Sequence, residues 1–180
     1  MKFAYVTAAG RGKLDDLMST VAADLQANGM RLGGVVKVPE EVCEGDHFCH
    51  STLQVLPDGP QIRITQDLGA EATSCRLDPG ALANAVAEVE NRANAPWDLL
   101  IVNKFGPEES NGRGFCEVIG AALERGVPVL VGVAVPHLDS FVQFAGDMAE
   151  ALPPKLDELR DWCFNASARD HDNQQQYHTA

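Results

Sequence analysis

FAYVTAAGRGKL, residues 3–14, is the most informative segment of this 180-residue chain for its fold class. An apolar run leads into a loop of small residues, and the loop leads into an amphipathic segment that begins near Lys13. A strand, a glycine-containing loop and a helix in this order place backbone N–H groups and a lysine around an anion. The stretch therefore predicts an anion-binding loop after the first strand.

The loop keeps part of the phosphate-binding pattern G-x-x-x-x-G-K-[ST], the P-loop, and loses the rest. Gly12 and Lys13 match, whereas Thr7 replaces the first glycine. Leu14 replaces the residue whose hydroxyl would hold Mg²⁺. The alternative is an ordinary strand–helix turn with a surface lysine. The predicted anion contacts in the loop are Gly10, Arg11, Gly12 and Lys13.

Composition limits the partners. The net charge of −12 repels nucleic acid and anionic lipid, so we expect no nucleic-acid partner. No apolar stretch reaches the length of about 18 residues that a membrane span needs. The first residues lack the apolar core of a signal peptide, which predicts a cytoplasmic location.

The five cysteines are an odd number, which favours free thiols over disulfides.

Hydrophobic periodicity predicts strands that alternate with helices along most of the chain. This order is typical of a single α/β domain with a mostly parallel sheet and flanking helices. A Pro-Asp-Gly turn at 57–59 predicts a β-hairpin insertion. We expect the domain to cover residues 1–165 and the polar residues 166–180 to form a disordered tail. The predicted strands cover 2–7, 32–38, 97–103 and 127–135, and the predicted helices cover 14–28, 79–94, 115–125, 137–151 and a short segment after Pro154.

Further basic residues and one cysteine fall near the carboxyl ends of the predicted strands, where open α/β sheets bind ligands. Lys104 and Arg113 are predicted to complete the charge balance of the anion. Cys75 and Arg76 precede the helix capped by Asp78 and are predicted to line the same crevice. The alternatives are solvated loop cations and a part-buried structural cysteine.

A loop after the second strand carries four candidate metal ligands within eight residues. Their spacing fits no standard zinc-finger pattern, so we expect no metal cofactor and keep the metal site as an alternative. The four residues are Cys43, His47, Cys49 and His50.

Several motifs together resemble a known family. They are LPDGP (56–60), CRLDP (75–79), DLLIVNKFGPEE (98–109), GRG (112–114) and GVPVL (126–130). The chain is similar, over roughly residues 2–152, to an uncharacterised bacterial family of unknown function related to the P-loop nucleoside triphosphatases. The resemblance implies a P-loop-type fold and a link with molybdate uptake.

The chain departs from what the resemblance implies for an active triphosphatase. Asn103 and Lys104 stand at the end of the strand where acidic residues are expected. Together with Leu14, this makes two losses that serve the same metal ion, so we expect weak or absent hydrolysis. The carboxylates that remain as possible replacements are Asp15, Asp16, Glu108 and Glu109.

The leading hypothesis is a binding protein for a phosphate-like anion, either a nucleotide phosphate or an oxyanion such as molybdate or tungstate, with an accessory role in molybdate handling. One alternative is a Mg²⁺-dependent nucleoside triphosphatase. Another is a structural or regulatory partner protein with no ligand, and a third is a redox or metal sensor. A homo-oligomer is left open by the last helix, which carries Leu156, Leu159 and Trp162.

Overall fold

The computed structural model describes residues 1–39, 51–66 and 76–175. The strands are β1 (Phe3–Val6), β2 (Leu32–Lys37), β3 (Thr52–Val55), β4 (Gln61–Arg63), β5 (Leu99–Phe105), β6 (Val129–Val133) and β7 (Glu150–Leu152). The helices are α1 (Lys13–Ala27), α2 (Pro79–Asn91), α3 (Pro107–Ser110), α4 (Cys116–Glu124), α5 (Leu138–Ala145) and α6 (Leu156–Gln175). Short 3₁₀ turns precede and follow α5.

The strands form one sheet in the order β4-β3-β2-β5-β6-β1-β7. Pairing is parallel from β2 through β5, β6 and β1 to β7, and antiparallel in the β2-β3-β4 portion. The single α/β domain with a mostly parallel sheet and an added hairpin is thereby confirmed. Because parallel strands end at the same edge, the loops that follow β1, β2, β5 and β6 meet there.

Helices cover both faces of the sheet, which explains why its central strands are apolar throughout. Leu99 and Ile101 of β5 belong to the core under α1 and α6. Leu100 and Val102 of the same strand belong to the core under α2, α4 and α5. Burial on both faces fixes β5 in the centre of the domain, so its carboxyl end is held in place for a site.

The predicted helix over residues 137–151 is wrong in its second half. Helix α5 ends at Ala145, and Gly146 has a φ of 57°, which favours glycine and ends the helix. Residues Glu150–Leu152 instead form β7, which pairs with β1 through Ala4 and Glu150. Three residues at a sheet edge show no periodicity of their own, so only the pairing defines this strand.

The predicted tail also differs, because α6 continues to Gln175 and thus through the first part of residues 166–180. Ala166 is buried, and the Ser167 hydroxyl lies 3.1 Å from the carbonyl oxygen of Asp98 below the sheet. Leu159 is fully buried and Trp162 packs against the same core, so these two side chains serve packing within the domain. None of the helices within the described ranges is both long and apolar enough to cross a bilayer.

Helix α2 begins at the predicted cap. The Asp78 carboxylate accepts hydrogen bonds from the N–H groups of Gly80 at 2.9 Å and Ala81 at 3.1 Å. Asp78→Ala removes both acceptors, so we expect it to lower the free energy of unfolding by about 1 kcal/mol. Urea unfolding followed by circular dichroism measures this loss. Glu90→Ala, on the exposed face of the same helix, removes the same charge and should change stability by less than about 0.5 kcal/mol; equal losses would contradict the capping role.

Candidate anion-binding site

The loop between β1 and α1 has a backbone that requires glycine at two positions. Gly10 has a φ of 106° and Gly12 a φ of 76°, a region that L-residues with a side chain rarely adopt. Gly12 is also the residue that caps the N-terminus of the 15-residue helix α1. The two glycines therefore turn the chain sharply from the strand into the helix.

Two backbone N–H groups at this turn are open to a ligand. Asp16 donates its N–H to the Gly12 carbonyl oxygen at 2.9 Å, as in any first helical turn. The N–H groups of Leu14 and Asp15 have no acceptor within the described parts of the chain. Open N–H groups at the positive end of a long helix favour a negative group. The turn therefore has the geometry of an anion-binding site.

Lys13 lies across this turn. A Cβ on Gly10 would sit 3.0 Å from Cδ and 3.1 Å from Cε of Lys13, so the missing side chain makes room for the lysine. The Lys13 side chain is exposed and forms no ion pair with other residues in the described ranges. Its ammonium group is thus available to a bound anion.

Behind the turn, Asp15 gathers charged side chains from the carboxyl ends of two strands. Its Oδ1 accepts a hydrogen bond from Nδ2 of Asn103 at 2.9 Å and lies 3.3 Å from Nζ of Lys104. Its Oδ2 lies 3.5 Å from Nζ of Lys37, the last residue of β2. Two ammonium groups therefore face the one carboxylate of Asp15.

Asn103 leaves one polar atom without a partner. Its side-chain nitrogen must face Asp15, because a carboxylate only accepts hydrogen bonds. The Oδ1 atom on the other side of the amide is buried and has no donor in the part of the chain that the structure describes. A buried acceptor without a donor is costly, so this atom indicates a place for a ligand hydroxyl or an ordered water.

The residues of this site do not fit Mg²⁺. The ion prefers oxygen ligands in an octahedron, yet Leu14 offers none and Asp15 is already paired with two ammonium groups. Among the other expected replacements, Glu108 pairs with Arg113 and Asp16 stays exposed on the helix surface. No cluster of three or more potential metal ligands occurs within the described ranges.

Glu109, the last candidate carboxylate, has a structural role. It is buried, and its oxygens accept hydrogen bonds from the N–H groups of Gly106 at 3.0 Å and Phe115 at 3.1 Å. Burial raises the pKa of Glu109 above its ordinary value, against the lowering effect of these hydrogen bonds. The side chain therefore braces the segment between β5 and α4 and does not face a ligand.

The structure brings only some of the predicted site residues together. The Lys104 ammonium group lies 3.3 Å from Oδ1 of Asp15, and Asp15 is two residues after Lys13 in α1. Arg113 instead donates from Nε to Glu108 at 2.9 Å and lines a separate groove of about 520 Å³ beside α2. Arg76 is exposed, and its carbonyl oxygen accepts from the Gln66 N–H. Five further predicted residues lie outside the described residues, namely Cys75, Cys43, His47, Cys49 and His50.

Lys37 is not among the site residues predicted from the sequence. The one sequence feature that could have identified it is its position at the carboxyl end of β2, at the same sheet edge as the loop before α1.

The expectation of free thiols is confirmed at Cys116 and Cys163, which are both buried and unpaired. Burial raises the pKa of Cys116 to about 11 and that of Cys163 to about 12, so both are protonated and unreactive at neutral pH.

Two known proteins are similar to this chain, one in its structure and one in its sequence. The solution structure of a human cancer-related nucleoside triphosphatase aligns with a TM-score of 0.58 at 15% identity, covering 84% of this chain and 87% of that one. This likeness confirms the triphosphatase-like fold. The molybdenum import ATP-binding protein ModC 2 of Bradyrhizobium diazoefficiens is 32% identical over 167 residues. The match covers 88% of this chain but only 18% of that relative's length.

The family comparison covers nearly the whole described core. A family model with the description "Protein of unknown function (DUF2478)" matches residues 3–162, which span every element from β1 into α6. The match contains the loop between β1 and α1, both strand ends that supply the lysines, and Asp15. The chain therefore belongs to the DUF2478 family of unknown function.

Proposed function

We propose that this chain binds a phosphate-like anion at the loop before α1, with little or no hydrolysis. The observation that carries the proposal is the pair of N–H groups of Leu14 and Asp15, which have no acceptor among the described residues. The side chain of Lys13 lies beside Gly10 of the same loop and forms no ion pair within the described ranges. A phosphate or a tetrahedral oxyanion accepts hydrogen bonds from such groups and is attracted by the lysine and the helix dipole.

Weak hydrolysis follows from what the site lacks. Phosphoryl transfer needs positive charge placed on the developing oxyanions and a group that orients the attacking water. Leu14 supplies no oxygen ligand for a metal, and the amide of Asn103 is not a charged base. We therefore place the chain among binding proteins and not among efficient enzymes.

Two ligand classes remain for this site, and different comparisons favour them. The triphosphatase-like fold supports a nucleotide bound through its phosphates. The relative named for molybdenum import supports molybdate or tungstate, which are tetrahedral dianions like hydrogen phosphate. In the second case the chain would have an accessory role in molybdate handling within the cytoplasm.

A binding panel tests the proposal. The melting temperature is measured with ATP, GTP, phosphate, molybdate and tungstate, because a ligand that binds only the native state raises it by mass action. We expect a rise with at least one of these anions. No rise with any of them would contradict the proposal and favour a partner protein without a ligand.

Lys13→Ala identifies the site within that panel. It removes one charge-assisted contact, so we expect about a tenfold or greater loss of affinity for the bound anion. Isothermal titration calorimetry measures the loss. Lys2→Ala is the matched control, since Lys2 lies at the opposite end of β1 and should leave affinity unchanged within about twofold. Equal losses in the two variants would contradict binding at this loop.

The second candidate function is a Mg²⁺-dependent nucleoside triphosphatase, which the fold alone favours. It predicts phosphate release from ATP or GTP that requires Mg²⁺ and disappears in Lys13→Ala. We expect no such release above the level of the Lys13→Ala variant.

A further inference from the structure

We propose, resting on the proposed function, that this site binds its anion without a divalent cation. Lys104 supplies the positive charge, and Asp15 holds Lys104 until an anion competes for it. In the described structure Lys104 is held on Asp15 at 3.3 Å, beside the open N–H groups of the loop. An incoming anion competes with the Asp15 carboxylate for this ammonium group. Asp15 is thus an internal counter-ion that limits affinity.

The two lysines differ in how firmly they are held. The Lys37 side chain is 18% exposed, and its backbone is tied to α1 because the Ser19 hydroxyl donates to the Lys37 carbonyl oxygen at 2.6 Å. The Lys104 side chain is 46% exposed and has a flexible four-carbon stem. Lys104 is therefore the group that moves, while Lys37 stays on Asp15.

Asp15 keeps a cationic partner in both states. With Lys104 on Asp15, the two ammonium groups share one carboxylate. When Lys104 turns to a bound anion, Lys37 still neutralises Asp15, so no buried charge is left without a partner. Because two cations share the one carboxylate, Lys104 can leave Asp15 at a small cost in free energy.

Two positions at the site point to a ligand next to Asp15. The N–H of Asp15 itself is one of the two open donors, so an anion bound there lies beside the residue that holds Lys104. The buried Oδ1 of Asn103, on the amide bonded to Asp15, lacks a donor among the described residues. A hydroxyl of a hydrogen phosphate, or water carried in with the anion, supplies that donor. A bare metal ion would instead meet two ammonium groups.

The first test compares affinity with and without a divalent cation. Isothermal titration calorimetry measures binding of ATP, pyrophosphate and molybdate to the full chain in EDTA and in excess MgCl₂. For each anion that binds, we expect the affinity in EDTA and the affinity in MgCl₂ to agree within about threefold. Binding that requires Mg²⁺ would overturn the inference while leaving the proposed function intact. No binding under either condition would overturn both.

The second test uses the sign of a charge change. Asp15→Asn keeps the shape and a hydrogen bond to Asn103 but releases Lys104, so we expect affinity in EDTA to rise about tenfold. Asp16→Asn is the matched control, because it removes the same charge from the same helical turn but not from the lysine pair. It should raise affinity by less than about twofold. Weaker binding in Asp15→Asn, or an equal rise in Asp16→Asn, would overturn the inference.

Lys104→Met keeps the test decisive if Asp15→Asn does not fold. This variant removes the mobile ammonium group from a half-exposed side chain, and we expect about a tenfold loss of affinity in EDTA. If Asp15→Asn does fold, its gain in affinity should be smaller in the Lys104→Met background than in the natural chain, since the two act on one contact. An unchanged affinity in Lys104→Met would overturn the role given to Lys104.

Discussion

Replacing Gly34 by alanine should lower the free energy of unfolding by about 4 kcal/mol. Gly34 lies in β2, where it pairs with Ile101 of β5. Its φ is 100°, and an added Cβ would come within 1.9 Å of the Ile101 carbonyl oxygen. A backbone atom in the centre of the sheet cannot move aside as a side chain does, so the strain of positive φ adds to the clash.

Gly29→Ala separates the two contributions to this loss. Gly29 follows α1 with a φ of 82°, and nothing lies within 4 Å of an added Cβ. It carries the conformational cost alone, which we expect to be about 1 kcal/mol. Urea unfolding of both variants, followed by fluorescence and circular dichroism, measures the difference. Similar losses would show that β2 and β5 are not as close at this point as the structure has them.

Replacing Glu109 by alanine should cost about 3 kcal/mol of stability. The change leaves the N–H groups of Gly106 and Phe115 without acceptors in a buried segment, and each such loss is costly. Glu108→Ala is the matched control, because Glu108 is the preceding residue and its partner Arg113 is mostly exposed. We expect this control to lose less than about 1 kcal/mol. Equal losses would contradict the bracing role of Glu109.

The pKa of Glu109 predicts how this contribution changes with pH. Because burial raises the folded-state pKa above the ordinary 4.5, the native state binds a proton more tightly than the unfolded state does. The resulting stability is complete below the ordinary pKa and is lost as pH rises through the raised value. The stability advantage of the natural chain over Glu109→Gln should therefore be largest in acid and decline towards neutral pH. Urea unfolding at a series of pH values measures it, and a constant difference would contradict the raised pKa.

Much of the fold was predictable because its signals are local. The buried strands β1, β2, β5 and β6 appear as apolar runs, and α1 repeats apolar residues every three to four positions. Asp78 and the Pro-Asp-Gly turn at 57–59 mark a helix start and a hairpin through chemistry within a few residues. Such features depend only on neighbours along the chain.

The errors occur where long-range pairing decides the outcome. Strand β7 is three residues long and mostly exposed, and it exists because β1 offers a free edge to Glu150–Leu152. Helix α6 continues past residue 165 because Ala166 and Ser167 pack against the sheet. Neither partner is close in sequence, so periodicity did not indicate either feature.

The same division applies to the candidate site. Residue order alone predicts an anion-binding loop with Gly10, Gly12 and Lys13, and Leu14 stands where that motif has a metal-binding hydroxyl. The surroundings of Asp15 depend on long-range contacts, because its hydrogen bond to Asn103 joins residues 88 positions apart. The order of the strands brings the carboxyl ends of β2 and β5 to the first turn of α1. This arrangement places two lysines on one carboxylate, because parallel strands that are distant in sequence end at the same edge of the sheet.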